Sequence, residues 1–361
     1  MSTRIYSTIT GTGRYLPEVT MDNDDFLEYS FYYQGAVVDR PTSEVIDHVE
    51  TVTEIKSRRF IKPELMTSDI AAFAGKAAIE DARINQEELD YIVVAHNFGD
   101  VQYKNRHSDM CPSLAARVKH KLGIKNPDTV AYDLIFGCPG WVEGLVQANY
   151  FIRSGDVKKV LVIGAEALSR IADPNDKNCL LYSDGAGAVV LEAKEGDTPT
   201  GILGHRSRTD AFSKGEMLWM DTSYKPTAEE NPTLYLKMNG RNVFKYAMTE
   251  IPKLVKELLD QKGLALSEVK KVIIHQANGK MVKSIVQRLL KHEEVQVDLD
   301  DILPMTVSWL GNNSVATVPI LFDLIVKGEM EGHHIEAGDL ILFCSVGAGM
   351  NINAVLYRVP A

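Results

Sequence analysis

Leu264-Ala-Leu-Ser-Glu-Val-Lys-Lys-Val-Ile-Ile-His275-Gln-Ala-Asn278 is the stretch on which the fold turns, because the chain carries another version of it about 180 residues earlier. The earlier copy reads Ile84-Asn-Gln-Glu-Glu-Leu-Asp-Tyr-Ile-Val-Val-Ala-His96-Asn97. Each copy follows a helical pattern and runs through a short acidic turn into an apolar, β-branched strand that ends at a histidine. A second pair keeps the same order: Gly185-Ala-Gly-Ala-Val-Val-Leu191 is answered by Gly347-Ala-Gly349 and Ala354-Val-Leu356. Either two α/β segments share a composition, or one α/β unit is duplicated. Two matches in one order, half a chain apart, favour duplication. The join falls in the polar stretch 190–235, with Pro199, Pro226 and Pro232, and divides the chain into halves 1–200 and 201–361.

Working outward, Tyr91–Ala95, Val160–Ile163, Gly187–Leu191, Val272–Ile274 and Leu340–Phe343 read as buried strands. Between them Ser68–Ala82, Ser113–Leu122, Gly144–Ser154, Phe244–Lys262 and Met281–Lys291 carry apolar residues at helical spacing. Strands and helices in alternation predict a layered α/β architecture with buried sheets. A chain of 361 residues, 45% hydrophobic and 24% charged, buries a large core without disulfide or metal support. Its 39 lysines and arginines against 49 aspartates and glutamates leave a net charge of −10, which argues against a general nucleic-acid binder. Cysteines 111, 138, 179 and 344 form no CxxC pair, so neither zinc nor a redox dithiol is expected. With no run of 18 apolar residues and a polar start, a cytoplasmic protein without membrane insertion is expected.

Four sites could carry chemistry. In Ala131-Tyr-Asp-Leu-Ile-Phe-Gly-Cys138-Pro-Gly-Trp-Val-Glu-Gly144 a strand turns sharply into a helix, leaving Cys138 at the helix N-terminus. There the dipole and free N–H groups favour a thiolate, whereas a buried structural cysteine is the alternative. His275 ends a buried strand, where active sites of α/β sheets gather, though a hydrogen-bonded structural histidine would also sit there. Asn312, in Trp309-Leu-Gly-Asn312-Asn-Ser-Val-Ala-Thr317, offers a non-titrating donor for an oxyanion, or is an ordinary turn residue. Val346-Gly-Ala-Gly349 lets backbone N–H groups approach a ligand, or strands approach one another.

In combination, Cys138, His275, Asn312 and Gly347–Gly349 resemble the ketosynthase III branch of the thiolase-fold condensing enzymes, the 3-oxoacyl-acyl-carrier-protein synthase III family. The resemblance extends over Gly11-Thr-Gly-Arg-Tyr-Leu-Pro17, Leu168-Ser-Arg170, Asp173-Pro-Asn-Asp176, Ser183-Asp-Gly-Ala-Gly187 and Gly240-Arg-Asn-Val-Phe-Lys245. It implies two βαβαβαββ halves in a five-layered α-β-α-β-α thiolase-like fold. It implies that Cys138 takes an acyl group from a thioester, with the backbone N–H groups of Cys138 and Ala348 as oxyanion hole. His275 and Asn312 would then assist decarboxylative condensation with a malonyl or β-ketoacyl thioester, without cofactor or metal. A homodimer, an acyl-coenzyme A or acyl-carrier donor, and an acyl carrier protein docking at Lys245, Lys280 and Lys283 are also implied.

Several departures bear on the substrate. The stretch His48–Glu54 lacks the tryptophan and arginine that contact coenzyme A in the family's primer enzymes, and follows an insertion-like segment 25–47 with Tyr29, Phe31, Tyr32 and Tyr33. Cys111 replaces the bulky aromatic that reaches the partner's acyl pocket, so a larger acyl group is expected. Asp109, in the long segment 99–109, is either an added base or a solvated carboxylate. These departures tilt the reading from fatty-acid initiation toward a specialised condensation, as in resorcinol, pyrone or quinolone pathways. A degradative thiolase is disfavoured, because it carries histidine where Asn312 stands and Cys344 is one residue out of register for its second cysteine. A Cys-His-Asn thioester hydrolase is the rival enzyme class.

Overall fold

The strands of the two repeated stretches each lie parallel to a neighbour within their own half, and their apolar residues are buried on both faces. The computed structural model describes residues 4–229 and 232–361. Strands β1 (Arg4–Tyr15), β2 (Tyr91–Ala95), β3 (Val130–Leu134), β4 (Lys159–Ala167) and β5 (Asp184–Gly196) form one sheet in the order β1-β5-β4-β2-β3. A second sheet has β6 (Gly201–Thr209) at one edge, and a separate hairpin joins β7 (Leu218–Asp221) to β8 (Tyr235–Met238). With β9 (Val269–Ile274), β10 (Leu340–Gly347) and β11 (Asn351–Arg358), the second sheet runs β6-β11-β10-β9. In both sheets a parallel pair leads into an antiparallel pair, so the internal repeat is visible in the pairing itself.

Helices α1 (Thr67–Ala82) and α2 (Leu114–Leu122) cover the outer face of the first sheet with an alanine-rich contact. The inner layer is α3 (Gly140–Ser154), joined there by a helix of the second half described below, while α4 (Gly240–Lys262) and α5 (Gly279–His292) cover the outer face of the second sheet. The inner partner of α3 is α6 (Thr317–Val326), giving five layers, α-β-α-β-α, of the thiolase-like kind. At the centre Trp141 of α3 and Phe322 of α6 meet Phe343 of β10 edge-on, with ring centroids 5.7 and 5.1 Å apart. The buried Trp141 indole donates to Val162 O at 3.3 Å, so the polar atom that accompanies this large apolar contact is satisfied.

The expected βαβαβαββ order holds in the first half. The second half lacks the fifth strand among the described residues: its sheet stops at β9. Pro304 interrupts the segment that would supply it, removing a backbone donor. The fully buried Gln276 side chain takes over, donating to Pro304 O at 2.8 Å and accepting from the N–H groups of Thr306 and Val307 at 2.8 and 3.1 Å. A carboxamide thus satisfies backbone groups that a ladder would otherwise pair.

Candidate active site

Three chain segments leave their strands on the same side and meet. After β3, Ile135-Phe136-Gly137 turns Cys138 into the start of α3; after β9 comes His275; after β10 comes Gly347-Ala348. Two glycines allow the contact between halves. Gly137 has φ +68°, and a Cβ there would stand 2.7 Å from Ala348 N; a Cβ at Gly347 would stand 2.5 Å from Cys138 N. The backbone amides of Cys138 and Ala348 are therefore brought together by the absence of two side chains.

Cys138, His275, Asn312 and Ala348 line one cavity of about 370 Å³, whose remaining wall is mostly apolar and includes Phe98, Ile135, Leu218 and Leu236. The β7–β8 hairpin forms part of that wall. It is fastened by Lys237, whose fully buried ammonium lies 2.5 Å from Asp173. Asp173 also accepts from Ser223 Oγ and from the N–H groups of Asn175 and Tyr224. The Asp173-Pro-Asn-Asp176 motif thus anchors the cavity cover.

The expected thiolate at the helix start is not the resting state. Burial pushes the Cys138 thiol up to about 11, outweighing the Ser314 hydroxyl at 3.4 Å, which pulls it down; nearby Glu166 raises it further. Desolvation opposes the helix-end electrostatics that favour a thiolate. Burial likewise pushes the His275 imidazole down to about 4, so the ring is neutral at physiological pH, with the Ser314 backbone opposing the shift. His275 Nδ1 lies 3.2 Å from Thr317 Oγ1, and that hydroxyl lies 3.0 Å from Ser314 O. Asn312 Oδ1 accepts from Ser314 N–H at 2.9 Å, which fixes its amide and leaves Nδ2 for the cavity. The Asn312 backbone is in turn pinned to Leu181 O and Ser183 N, both at 2.9 Å.

Other anticipated positions fall elsewhere. Cys344 is buried in β10 away from the cavity lining, its thiol pushed up to about 12 by burial. Cys111 is exposed and does not line the cavity. Asp109 is exposed and held by Arg117 at 2.7 Å, which keeps its carboxyl below the usual range. Lys245 and Lys280 are exposed near the starts of α4 and α5, whereas Lys283 is paired with Glu54 at 2.8 Å. Among the described residues no group of three or more His, Cys, Asp or Glu is placed to hold a metal ion, and no helix is long and apolar enough to cross a membrane.

Some participants escaped the sequence reading. A second cavity of about 660 Å³ shares Trp219 and Met238 with the first, and Arg40, His48, Lys177 and Arg241 stand around it with Tyr32 and Tyr33. The cations Arg40, Lys177 and Arg241 come from three distant segments, and no spacing in the sequence unites them. Ser314 and Thr317 lie in the quoted Asn312 motif, but their reach to Cys138 and His275 needs the fold.

Residues 132–211 match the family model for 3-oxoacyl-[acyl-carrier-protein (ACP)] synthase III, and residues 259–359 match the model for its C-terminal part. A β-ketoacyl-[acyl-carrier-protein] synthase III of Xanthomonas campestris pv. campestris is 37% identical over 362 residues, spanning 99% of this chain and 100% of that protein. The crystal structure of 3-oxoacyl-[acyl-carrier-protein] synthase III from Aquifex aeolicus is similar with a TM-score of 0.77 at 32% identity, covering 98% of this chain and 99% of that one. A priming β-ketosynthase from a polyketide biosynthetic pathway gives a TM-score of 0.80 at 25% identity, over 99% and 97% of the two chains.

Proposed function

This chain belongs to the 3-oxoacyl-[acyl-carrier-protein] synthase III family of thiolase-fold condensing enzymes, and from that premise we propose a residue-level course for its acyl transfer and condensation. Cys138 Sγ attacks a donor thioester, its proton leaving with the departing thiol, and forms the acyl-enzyme. The Cys138 and Ala348 N–H groups receive the developing oxyanion; the close approach at Gly137 and Gly347 supports this. The acyl chain occupies the apolar cavity beneath the β7–β8 hairpin.

A malonyl thioester then enters. As carbon dioxide leaves, His275 Nε2 and Asn312 Nδ2 donate to the thioester oxygen, and the carbanion attacks the acyl-cysteine to give a β-ketoacyl thioester. Donation from Nε2 requires the neutral imidazole to carry its proton there, with the Thr317 hydroxyl hydrogen, which donates to Ser314 O at 3.0 Å in the resting site, turning to Nδ1 at 3.2 Å. Neutrality also keeps His275 from quenching the carbanion. The observation that carries the proposal is the meeting of Cys138 from one half with His275 and Asn312 from the other around one apolar cavity.

The second cavity supports arrival of the donor on a phosphorylated carrier arm. Arg40, Lys177 and Arg241 supply cations, and Tyr32 and Tyr33 supply aromatic surface, where the sequence lacked the family's tryptophan and arginine. Lys245 and Lys280 are free to meet an acidic carrier protein; Lys283 is already compensated by Glu54. Edge strand β3, paired only with β2 and carrying exposed Val130 with Ile135 just beyond, supports pairing with a second copy.

The test is intact-protein mass spectrometry after exposure to acyl-coenzyme A and acyl-carrier thioesters, followed by malonyl carrier protein. An acyl adduct absent from Cys138→Ala, then β-ketoacyl product with carbon dioxide, is expected. Free acid with neither carbon dioxide nor ketoacyl product refutes the proposal in favour of a hydrolase.

A further inference from the structure

Ser314 touches all three residues assigned to the chemistry. Its N–H orients the Asn312 amide at 2.9 Å, its C=O lies 3.0 Å from the Thr317 hydroxyl that faces His275, and its own hydroxyl lies 3.4 Å from Cys138 Sγ. It does so from a left-handed backbone, φ +52°, that costs a serine conformational energy. Strain retained at a residue joining three functional groups calls for a reason.

The reason lies in the groups behind it. Asn97, directly after β2, lies 2.7 Å through Nδ2 from Glu166 Oε2 and 3.4 Å through the same nitrogen from Ser314 Oγ. Glu166 is on β4 and 1% exposed. Once ionised, as pH rises through about 7, Glu166 only accepts, so it turns the Asn97 amide nitrogen, not its oxygen, toward itself. That nitrogen has two hydrogens and no lone pair. One goes to Glu166 and the other to Ser314 Oγ, which must accept on that side. The single Ser314 hydroxyl hydrogen is then left for Cys138.

We propose that Glu166 and Asn97 are positioning residues that fix the direction of a hydrogen-bond chain, so that the Ser314 hydroxyl donates to Cys138 Sγ and stabilises its thiolate during acylation. This rests on Cys138 being the nucleophile. A charge-assisted donor matters most in a buried site where the thiolate is otherwise disfavoured. The ionisable groups facing Cys138 are Glu166, Tyr182 and His275, and those facing Glu166 are His96 and Asp184. All of them remain in the variants below, so differences between variants report on the chain itself.

The experiment is the pH profile of iodoacetamide alkylation at Cys138, followed by peptide mass spectrometry, in the full-length protein. Ser314→Ala and Ser314→Gly both lose the hydroxyl, but glycine relieves the left-handed strain while alanine keeps it. Both are expected to move the alkylation midpoint upward and to slow alkylation near neutral pH roughly tenfold. Their thermal stabilities should differ, with glycine the more stable. Asn97→Leu should move the midpoint in the same direction by less. An unmoved midpoint in both the alanine and glycine variants overturns the proposal, as does a shift that follows stability instead of the hydroxyl. Failure of the underlying reading looks different: acyl thioesters would then leave wild-type Cys138 unmodified.

Discussion

Thr317→Val tests the orientation of His275 by removing one hydroxyl, which also donates to Ser314 O at 3.0 Å. Valine keeps the branched outline of threonine at a residue 1% exposed at the start of α6, while trading the hydroxyl for a methyl. What disappears is the oxygen 3.2 Å from His275 Nδ1. Without it the ring keeps no preference for carrying its proton on Nε2, and Nδ1 becomes an unpaired buried polar atom. A neutral hydrogen bond of this kind contributes about 1 kcal/mol, so the fraction of enzyme ready to stabilise the enolate falls by about fivefold, and up to about tenfold if the ring also turns. Complete removal of an oxyanion donor would cost about a hundredfold or more, because the imidazole would then be gone and not merely misdirected. The assay separates the half-reactions: single-turnover acylation of Cys138 by mass spectrometry, and carbon dioxide release from malonyl carrier protein. Acylation should be unchanged, decarboxylation about five- to tenfold slower, and Thr317→Ser close to wild type. If acylation and decarboxylation fall in parallel, or if valine is silent in both, Thr317 does not orient His275.

Lys237→Met should cost about 3–5 kcal/mol in denaturant unfolding, because it strands Asp173 as a buried charge; adding Asp173→Asn should recover part of that loss. Arg241→Glu at the second cavity should raise KM for a coenzyme A thioester severalfold, with kcat little changed and the difference shrinking at high salt, measured by steady-state kinetics. Two buried groups act in opposite directions on stability between pH 4 and 7, beside Asp184, which burial raises to about 6 and whose contribution is likewise lost as pH rises toward that value. Burial holds His275 down to about 4, so its contribution is present above about 6.5 and lost as pH falls toward 4. Burial holds Glu166 up to about 7, so its contribution is present below about 4.5 and lost as pH rises toward 7. Relative to wild type, His275→Gln should therefore remove stability that rises with pH, and Glu166→Gln stability that falls with pH, each by up to about 3 kcal/mol in pH-dependent denaturation.

Much of this was legible in the sequence because it rests on local patterns. Tyr91–Ala95 is a strand with the bounds its composition suggested, since the turn chemistry on either side is unambiguous. Helices α3 and α4 begin four residues before the expected Gly144 and Phe244, because glycines at 140 and 240 interrupt the apolar spacing without interrupting the helix. The stretch 190–235 looked like a polar join, yet it holds part of the hairpin that walls the cavity; Leu218, Trp219 and Met220 are too short a run to announce themselves. Cys138 and His275 could be singled out because each follows a strand, and Asn312 because it sits in a Gly-Asn turn after a short helix, in motifs with few alternatives. The basic mouth was not, because Arg40, Lys177 and Arg241 are neighbours only in three dimensions. The missing edge strand of the second half was also invisible, since it turns on one glutamine side chain doing the work of a ladder.

The reversal at Cys138 ties these observations to the proposed chemistry. A site built only for acylation would favour a thiolate beside an imidazolium, each stabilising the other. Here burial drives both groups to their neutral forms, raising the thiol to about 11 and lowering the imidazole to about 4. That makes the first step harder, because the thiolate must be created while the donor is bound. It also removes the acid that would protonate a carbanion in the second step. The two requirements conflict at any single polarity of the cavity, and dryness favours the second. Local hydrogen bonds can then assist the first without admitting charge: the Ser314 hydroxyl at Sγ and the paired amides of Cys138 and Ala348 act on the nucleophile and its oxyanion, whereas neither protonates an enolate carbon. On this reasoning, an added cation beside Cys138 would raise the rate of acylation and lower the yield of condensation per acyl-enzyme.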